Sequence, residues 1–176
     1  MTTEDGASNS RFVIDTGLSR FTVRAFASGL LSAFGHSPTF AVRDYSGEVT
    51  LNPAAIASAS LTLKAKAASL SLVDDVSQSD RRAIEKTMQD EVLDSAQYPE
   101  IAFVSEKISV IPDSEGGAFH LSLSGKLTLH GITHNLTIPA RVTLGDNELR
   151  AFGEFTIPQS KFGIKPVSVG GSMLKV

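Results

Sequence analysis

Two of the four histidines lie close together in residues 127–138, LTLHGITHNLTI, and they are the first candidates for chemistry. His130 and His134 are four positions apart. Metal-binding histidines at that spacing work on a helix, where both imidazoles share a face, and a tight site needs a third ligand. The surrounding residues alternate between apolar and polar, which is typical of a strand, so the helical arrangement is not expected here.

The alternation on the two sides of Gly131 predicts a hairpin. The apolar residues are odd-numbered from Phe119 to Leu129 and even-numbered from Ile132 to Leu144, and a tight turn near Gly131 explains the change. His130 then falls on the polar register of one strand and His134 on the apolar register of the next. We therefore expect the two rings to point to opposite sides of the sheet, with His130 exposed and His134 near a barrel rim.

The other two histidines are weaker candidates. His120 has the same parity as His130, but ten strand residues span about 33 Å, so the two cannot form a site together. His36 lies beside Ser37 in a loop-like stretch without the G-x-S-x-G elbow of a nucleophilic serine. A plain loop histidine is the favoured interpretation of His36.

Three aspartates, Asp74, Asp75 and Asp80, gather before a predicted helix. The spacing and glycine of an EF-hand are missing, and negative charge at a helix start is favourable in itself. The chain also has no glycine pattern for binding phosphates or dinucleotides. The sequence therefore predicts no catalytic residue, no metal ligand and no cofactor.

Composition narrows the classes of protein. The 176 residues are 41% hydrophobic, which suits a single domain, predicted over 11–176 after a disordered segment 1–10. The net charge of -3 comes from interspersed signs, so nucleic acid is not an expected partner. There is no cysteine, no long apolar run and no secretory pattern at the N-terminus, and we expect a soluble cytoplasmic protein without a transmembrane segment.

Most of the chain alternates with period two, which predicts strands. Short loops between neighbouring runs favour antiparallel pairing, and about eight strands with one apolar face favour a closed barrel over a sheet with open edges. Turn signals fall at 45–47, 52–53, 112–117 and 145–147. Weaker alternating runs occupy 21–27, 48–51, 58–67, 101–111 and 149–157.

One segment, 79–96, has a different period and predicts a short helical insertion. Its apolar residues Ile84, Met88 and Val92 recur every four positions, without Gly or Pro between them. Ser77 or Ser79 can cap the first turn. We expect this helix to cover an end or a side of the barrel.

The interior of such a barrel is either filled by side chains or holds one small ligand. The chain has no Trp, only 2 Tyr and several small residues at inward positions, which favours an interior that is not completely filled. Two alternatives stay open. One is a packed structural barrel that recruits a protein partner; the other is a metal- or haem-associated protein that uses His36, His130 or His134.

Four segments in order resemble the YceI-like family, whose members are known as polyisoprenoid-binding, lipocalin-like proteins. Together they extend over nearly the whole chain, and four in sequence are fairly specific. They are 12–15 (FVID) with 19–24 (SRFTVR), 97–105 (QYPEIAFVS), 125–138 (GKLTLHGITHNLTI) and 161–164 (KFGI).

The resemblance implies an extended antiparallel, lipocalin-like barrel with a helix between strands and an elongated apolar cavity. It implies a lipid-like ligand, such as a polyisoprenoid with a polar or phosphorylated head at the cavity mouth, and it brings no catalytic residues. Family members are commonly exported, whereas this sequence shows no signal. A homodimer is left open.

The function predicted from the sequence is non-enzymatic binding, carriage or sequestration of an apolar lipid-like ligand. Arg24 and His134 are the candidates for meeting a head group, because they lie near strand ends or between registers. The predicted apolar lining consists of Phe21, Val23, Leu61, Leu63, Phe103, Leu121, Leu123, Leu127, Leu129, Leu136, Ile138 and Phe155.

Overall fold

A computed structural model describes residues 9–26, 37–111 and 118–165 of the chain. Most of the predicted disordered segment 1–10 lies outside these ranges, as do His36 and the predicted turn at 112–117. The first strand already begins at Ser10.

Ten strands and one short helical segment form the described chain, which confirms the predicted all-β class with a helical insertion. They are β1 (Ser10–Val13), β2 (Thr22–Arg24), β3 (Thr39–Val42), β4 (Tyr45–Leu51), β5 (Ser60–Lys66), β6 (Leu70–Leu72), β7 (Glu100–Ile111), β8 (Phe119–Leu129), β9 (Ile132–Leu144) and β10 (Leu149–Gly153).

Seven strands form a nearly closed antiparallel barrel in the order β1-β4-β5-β7-β8-β9-β10. The remaining three form a small second sheet in the order β2-β3-β6. The number of strands, ten, exceeds the expected eight because two long extended stretches are each interrupted and form two strands. β3 leads into β4 through only Arg43 and Asp44, and β5 leads into β6 through a 3-10 turn at Ala67–Ser69.

The predicted helical insertion is α1 (Gln78–Thr87), which continues into a π-helical turn at Met88–Val92. Ser77 caps it, since its Oγ accepts a hydrogen bond from the Asp80 amide at 3.1 Å. Ile84 is fully buried, and the helix packs against β6. In the described part of the chain no helix is long and apolar enough to cross a membrane.

The row of large apolar residues on β8 is interrupted at Gly125, and the neighbouring strand β7 explains the interruption. Between Ser105 and Lys107 the pairing of β7 with β8 shifts register, and Gly125 lies opposite this irregularity. A Cβ on Gly125 would lie 2.2 Å from the Val104 carbonyl oxygen, so only glycine allows this approach.

Two predicted boundaries are wrong. Residues 45–47 belong to β4 and form no turn; Gly47 is needed there because a Cβ would lie 2.9 Å from the Thr62 carbonyl oxygen on the neighbouring strand. The run predicted over 149–157 ends as a strand at Gly153, which pairs with Ala140. The next residue of β9 towards the hairpin is Pro139, which has no N–H to continue the pairing.

Candidate functional site

The hairpin of β8 and β9 forms one wall of the barrel, and its register separates an apolar inner face from a polar outer face. On the inner face Leu123 pairs with Ile138 and Leu127 with His134. On the outer face hydroxyls meet across the strands, for example those of Thr128 and Thr133 at 2.8 Å. The change of parity predicted around Gly131 is therefore confirmed.

The predicted lining residues of the barrel wall share this inner face. Leu63 pairs with Phe103, and Phe103 pairs with Leu127, so the apolar rows continue from β5 through β7 to β8. The residues concerned are Leu61, Leu63, Phe103, Leu121, Leu123, Leu127, Leu129, His134, Leu136 and Ile138.

Four predicted site residues lie elsewhere. Phe21 and Val23 lie at the second sheet, where both are half-buried and pack against the core. Arg24 follows Val23 in the chain, is exposed on the outer face of β2, and is therefore not part of the apolar inner surface. Phe155 follows the end of β10 and is 39% exposed.

Burial differs across the inner face. Leu121, Leu123, Leu127 and Leu129 of β8 are between 6 and 8% exposed, as expected of a packed core. A second group on the same inner surface remains only half-buried, and it consists of Leu61, Leu63, Leu136 and Ile138. The interior is thus tightly packed along β8 and less completely filled beside β5 and β9.

The inner surface offers apolar contact and little else. Among the described residues no polar or charged residue is buried, and no group of three His, Asp or Glu side chains could hold a metal ion. Every side-chain nitrogen or oxygen found buried in the described ranges has a hydrogen-bond partner. Apart from His134, the inner surface of the described barrel wall is therefore apolar.

His130 and His134 both contact a later segment of the chain, and the sequence pattern did not predict these contacts. We call residues 158–164 the closing segment; it contains a 3-10 turn at Gln159–Phe162. The Nε2 atom of His134 lies 2.7 Å from the Lys161 carbonyl oxygen, and the Nδ1 atom of His130 lies 3.2 Å from the Phe162 carbonyl oxygen. The prediction that the two rings diverge is wrong, because both hydrogen-bond to the same turn.

The turn of the hairpin explains this convergence. His130 and Gly131 have positive φ angles, 51° and 72°, as in a two-residue type I′ turn, so His130 leaves the register of β8. Its ring lies against Tyr98, with centroids 4.3 Å apart. The alternation of a strand predicts which side of the sheet a residue faces only while that residue continues the strand. His130 belongs to the turn, so the alternation does not predict its direction.

The closing segment packs its own apolar side chains into this end of the barrel. Phe162 is 2% exposed and Ile164 is 5% exposed. The Phe162 ring meets the His134 ring edge to face at 5.2 Å. The sequence signal for this role was the Phe162-Gly163 pair, since Gly163 ends the turn with a φ of 67°.

A separate depression of about 240 Å³ lies where β8, β9 and β10 meet. Its lining includes the outward residues His120, Arg141 and Phe152. Pockets for drug-sized ligands commonly measure about 300 to 1,000 Å³, so this depression is too small for a long lipid chain. The barrel interior remains the candidate site.

Similar solved structures share this architecture. BcnA of Burkholderia cenocepacia matches with a TM-score of 0.67 and 22% identity over 86% of this chain and 84% of that chain. A polyisoprenoid-binding domain from Saccharophagus degradans, implicated in plant cell wall breakdown, matches with a TM-score of 0.53 and 14% identity, over 88% of this chain and 76% of that chain. A YceI protein of Campylobacter jejuni has a TM-score of 0.52 and 20% identity, with coverage of 70% and 69%.

The sequence itself decides the family. No curated relative matches it. Residues 12–175, nearly the whole chain, match the YceI-like domain, and with the barrel, the inserted helix and the closing turn in place, the chain belongs to the YceI-like domain family.

Proposed function

We propose that this protein binds an apolar, chain-like lipid inside its barrel and carries or sequesters it without chemical change. The polyisoprenoid class is the proposed ligand. The ligand would lie against the half-buried inner side chains of β5 and β9.

The observation that carries this proposal is the difference in burial on one continuous apolar surface. Leu63 and Leu136 face inward but are only half-buried, whereas Leu127 on the same surface is 6% exposed. Apolar side chains gain free energy when they are removed from water, so a bound hydrocarbon chain would complete their burial. The absence of buried polar groups among the described residues suits a ligand without polar atoms along its length.

The affinity available from burial is substantial. Each methylene group moved from water into an apolar site contributes about 0.8 kcal/mol. A ligand of about three isoprene units, or roughly 15 carbons, would gain of the order of 10 kcal/mol before the cost of ordering it. With the lowest association cost, about 4 kcal/mol, roughly 6 kcal/mol remains, which corresponds to a dissociation constant of about 40 μM without any strong polar contact.

The comparisons support the same class of ligand. The chain belongs to the YceI-like domain family, and the structurally similar domain of Saccharophagus degradans is described as polyisoprenoid-binding.

Native mass spectrometry of the purified protein, compared with a denatured extract, tests the proposal. We expect an adduct, or its formation after addition of a prenyl alcohol or prenyl phosphate. A matched pair on β9 locates the site: Leu136→Trp fills the interior, whereas Asn135→Trp adds the same ring to the exposed outer face. We expect the first variant to weaken binding by about ten-fold or more, because the ring occupies the ligand's volume, and the second to leave it unchanged. A barrel that is free of ligand and also refuses added prenyl lipids would overturn the proposal.

A further inference from the structure

The outer face of the second sheet carries a set of arginines that the barrel interior does not use. Arg24 pairs with Thr39, and Thr22 pairs with Ala41, which in turn pairs with Ser71. The Nε atom of Arg43 donates to the Ser71 Oγ at 2.8 Å, so Arg43 extends over this same face.

Arg20 belongs to the same row of alternate residues as Arg24. The Val42 amide donates to the Phe21 carbonyl at 2.9 Å, which continues the pairing of β2 with β3 as far as Phe21, and Arg20 and Arg43 are the residues that flank this last pair in the chain. We call the surface formed by Arg20, Arg24 and Arg43 the arginine face. All three side chains are exposed.

The charge of this face opposes that of the whole protein, which is -3. Among the described residues of the three strands, no acidic side chain lies on it. Two carboxylates lie at its borders. Asp44 is balanced by its ion pair with Lys66 at 2.6 Å, whereas Asp74 accepts the Thr39 amide at 3.0 Å and keeps its negative charge, so three arginines face one such carboxylate. The result is a local concentration of positive charge with hydroxyl groups between the guanidinium groups.

Exposed apolar side chains accompany the cations. Phe26 is 65% exposed, and the Arg24 guanidinium carbon lies 5.7 Å from the centre of its ring. Val73, whose amide donates to the Thr39 carbonyl, is 46% exposed at the edge of the same face. An aromatic ring beside a cation suits the interface of a bilayer, where the ring enters the head-group layer and the cation meets lipid phosphate.

We propose that the arginine face docks the protein on the surface of an anionic lipid bilayer. Charge complementarity selects the anionic surface, and Phe26 and Val73 favour a bilayer over duplex nucleic acid, because the bases of a duplex are stacked on each other and its phosphates offer no partner for exposed apolar side chains. The inference is independent of the cargo proposed above, since vesicles that contain no prenyl lipid test it. If the barrel does carry a lipid, this face would bring it to the membrane.

Co-sedimentation with vesicles tests the electrostatic part. We expect binding to phosphatidylcholine vesicles with about 30% phosphatidylglycerol, little binding to phosphatidylcholine alone, and release as salt screens the charges. The double variant Arg20→Gln/Arg24→Gln should bind about 25-fold more weakly, from about five-fold per arginine. The matched control Arg82→Gln/Arg141→Gln removes the same charge from other exposed positions and should change little. Equal losses in the two double variants, or no binding to anionic vesicles, would overturn the proposal.

Fluorescence tests whether the exposed apolar side chains of the arginine face contact the bilayer. The chain has no tryptophan, so a Phe26→Trp variant carries one fluorophore at the arginine face. Its emission should shift to the blue with anionic vesicles, whereas that of a Phe152→Trp control, at a 70% exposed position on β10, should not. A blue shift only in the control variant, or only with duplex DNA in place of vesicles, contradicts docking of this face on a membrane.

Discussion

The Nε2 atom of His134 lies 2.7 Å from the carbonyl oxygen of Lys161, across 27 residues of sequence. A carbonyl oxygen only accepts hydrogen bonds, so this contact requires the proton on Nε2. It connects the hairpin of β8 and β9 to the closing segment, and Phe162 reinforces it with an edge-to-face contact. The histidine that resembled a metal ligand in the sequence therefore has a structural role in joining the closing segment to the barrel.

His134→Ala should destabilise the fold by about 1 to 2 kcal/mol, because one hydrogen bond and one aromatic contact are lost. His134→Gln, which keeps an N–H donor, should recover part of that loss. Urea unfolding followed by circular dichroism measures both. Asn135→Ala, at the next and exposed position, is the control, and an equal loss in this variant would contradict the structural role of His134.

Gly125→Ala should destabilise the barrel by more than about 2 kcal/mol, since the added methyl group would lie 2.2 Å from the Val104 carbonyl oxygen. Gly145→Ala is the matched control, because its nearest neighbour would lie at an ordinary 3.7 Å. Thermal unfolding of the two variants tests this, and similar melting temperatures would show that β7 can move away from β8 at low cost.

Truncation of inner leucines should reveal the uneven packing. Leu127→Ala removes a side chain that is 6% exposed and should cost about 3 to 4 kcal/mol. Leu136→Ala removes a half-buried one and should cost about half as much or less, because little new cavity forms. Chemical denaturation of ligand-free protein gives both values. The reverse order would mean that the interior beside β9 is as tightly packed as that beside β8.

The ion pair of Arg11 with Glu48 should make a pH-dependent contribution to the pairing of β1 with β4. The hydrogen bond from Arg11 lowers the pKa of Glu48 below its usual 4.5. Its contribution to stability is therefore present above pH 4.5 and is lost as the pH falls through the lowered pKa. Carbon NMR of the Glu48 carboxyl group should show the low pKa, and Arg11→Gln should return it to its usual range. An unchanged titration in that variant would mean that Arg11 is not the cause of the lowered pKa.

Much of the barrel follows from local rules that the sequence displays. The alternation along β8 and β9 predicted which residues face inward, because successive side chains of a strand point to opposite sides. The period of four in Ile84, Met88 and Val92 predicted the helix, and Ser77 caps its start as expected. The order of the four motifs along the chain was enough to indicate the family.

Local rules fail where the chain leaves regular structure. Pairing of β10 stops beside Pro139, so Phe155 lies beyond the strand that alternation predicted. Arg24 was a candidate for the cavity mouth, yet the register of β2 with β3 places it on an outer face with Phe26. These positions depend on which partner strand offers a hydrogen-bond donor, and one strand's own sequence does not contain that information.

His130 and His134 show most clearly which features the local sequence determines and which depend on the tertiary structure. The sequence by itself determined that residues 127–138 form a hairpin with an apolar inner register, because a period of two and a turn glycine are local properties. Only the tertiary structure decided that His130 and His134 bind adjacent carbonyls of the closing segment. These contacts join residues about 30 positions apart. The direction of the His130 side chain, in a left-handed turn, depends on the packing around it and not on the alternation of the preceding strand.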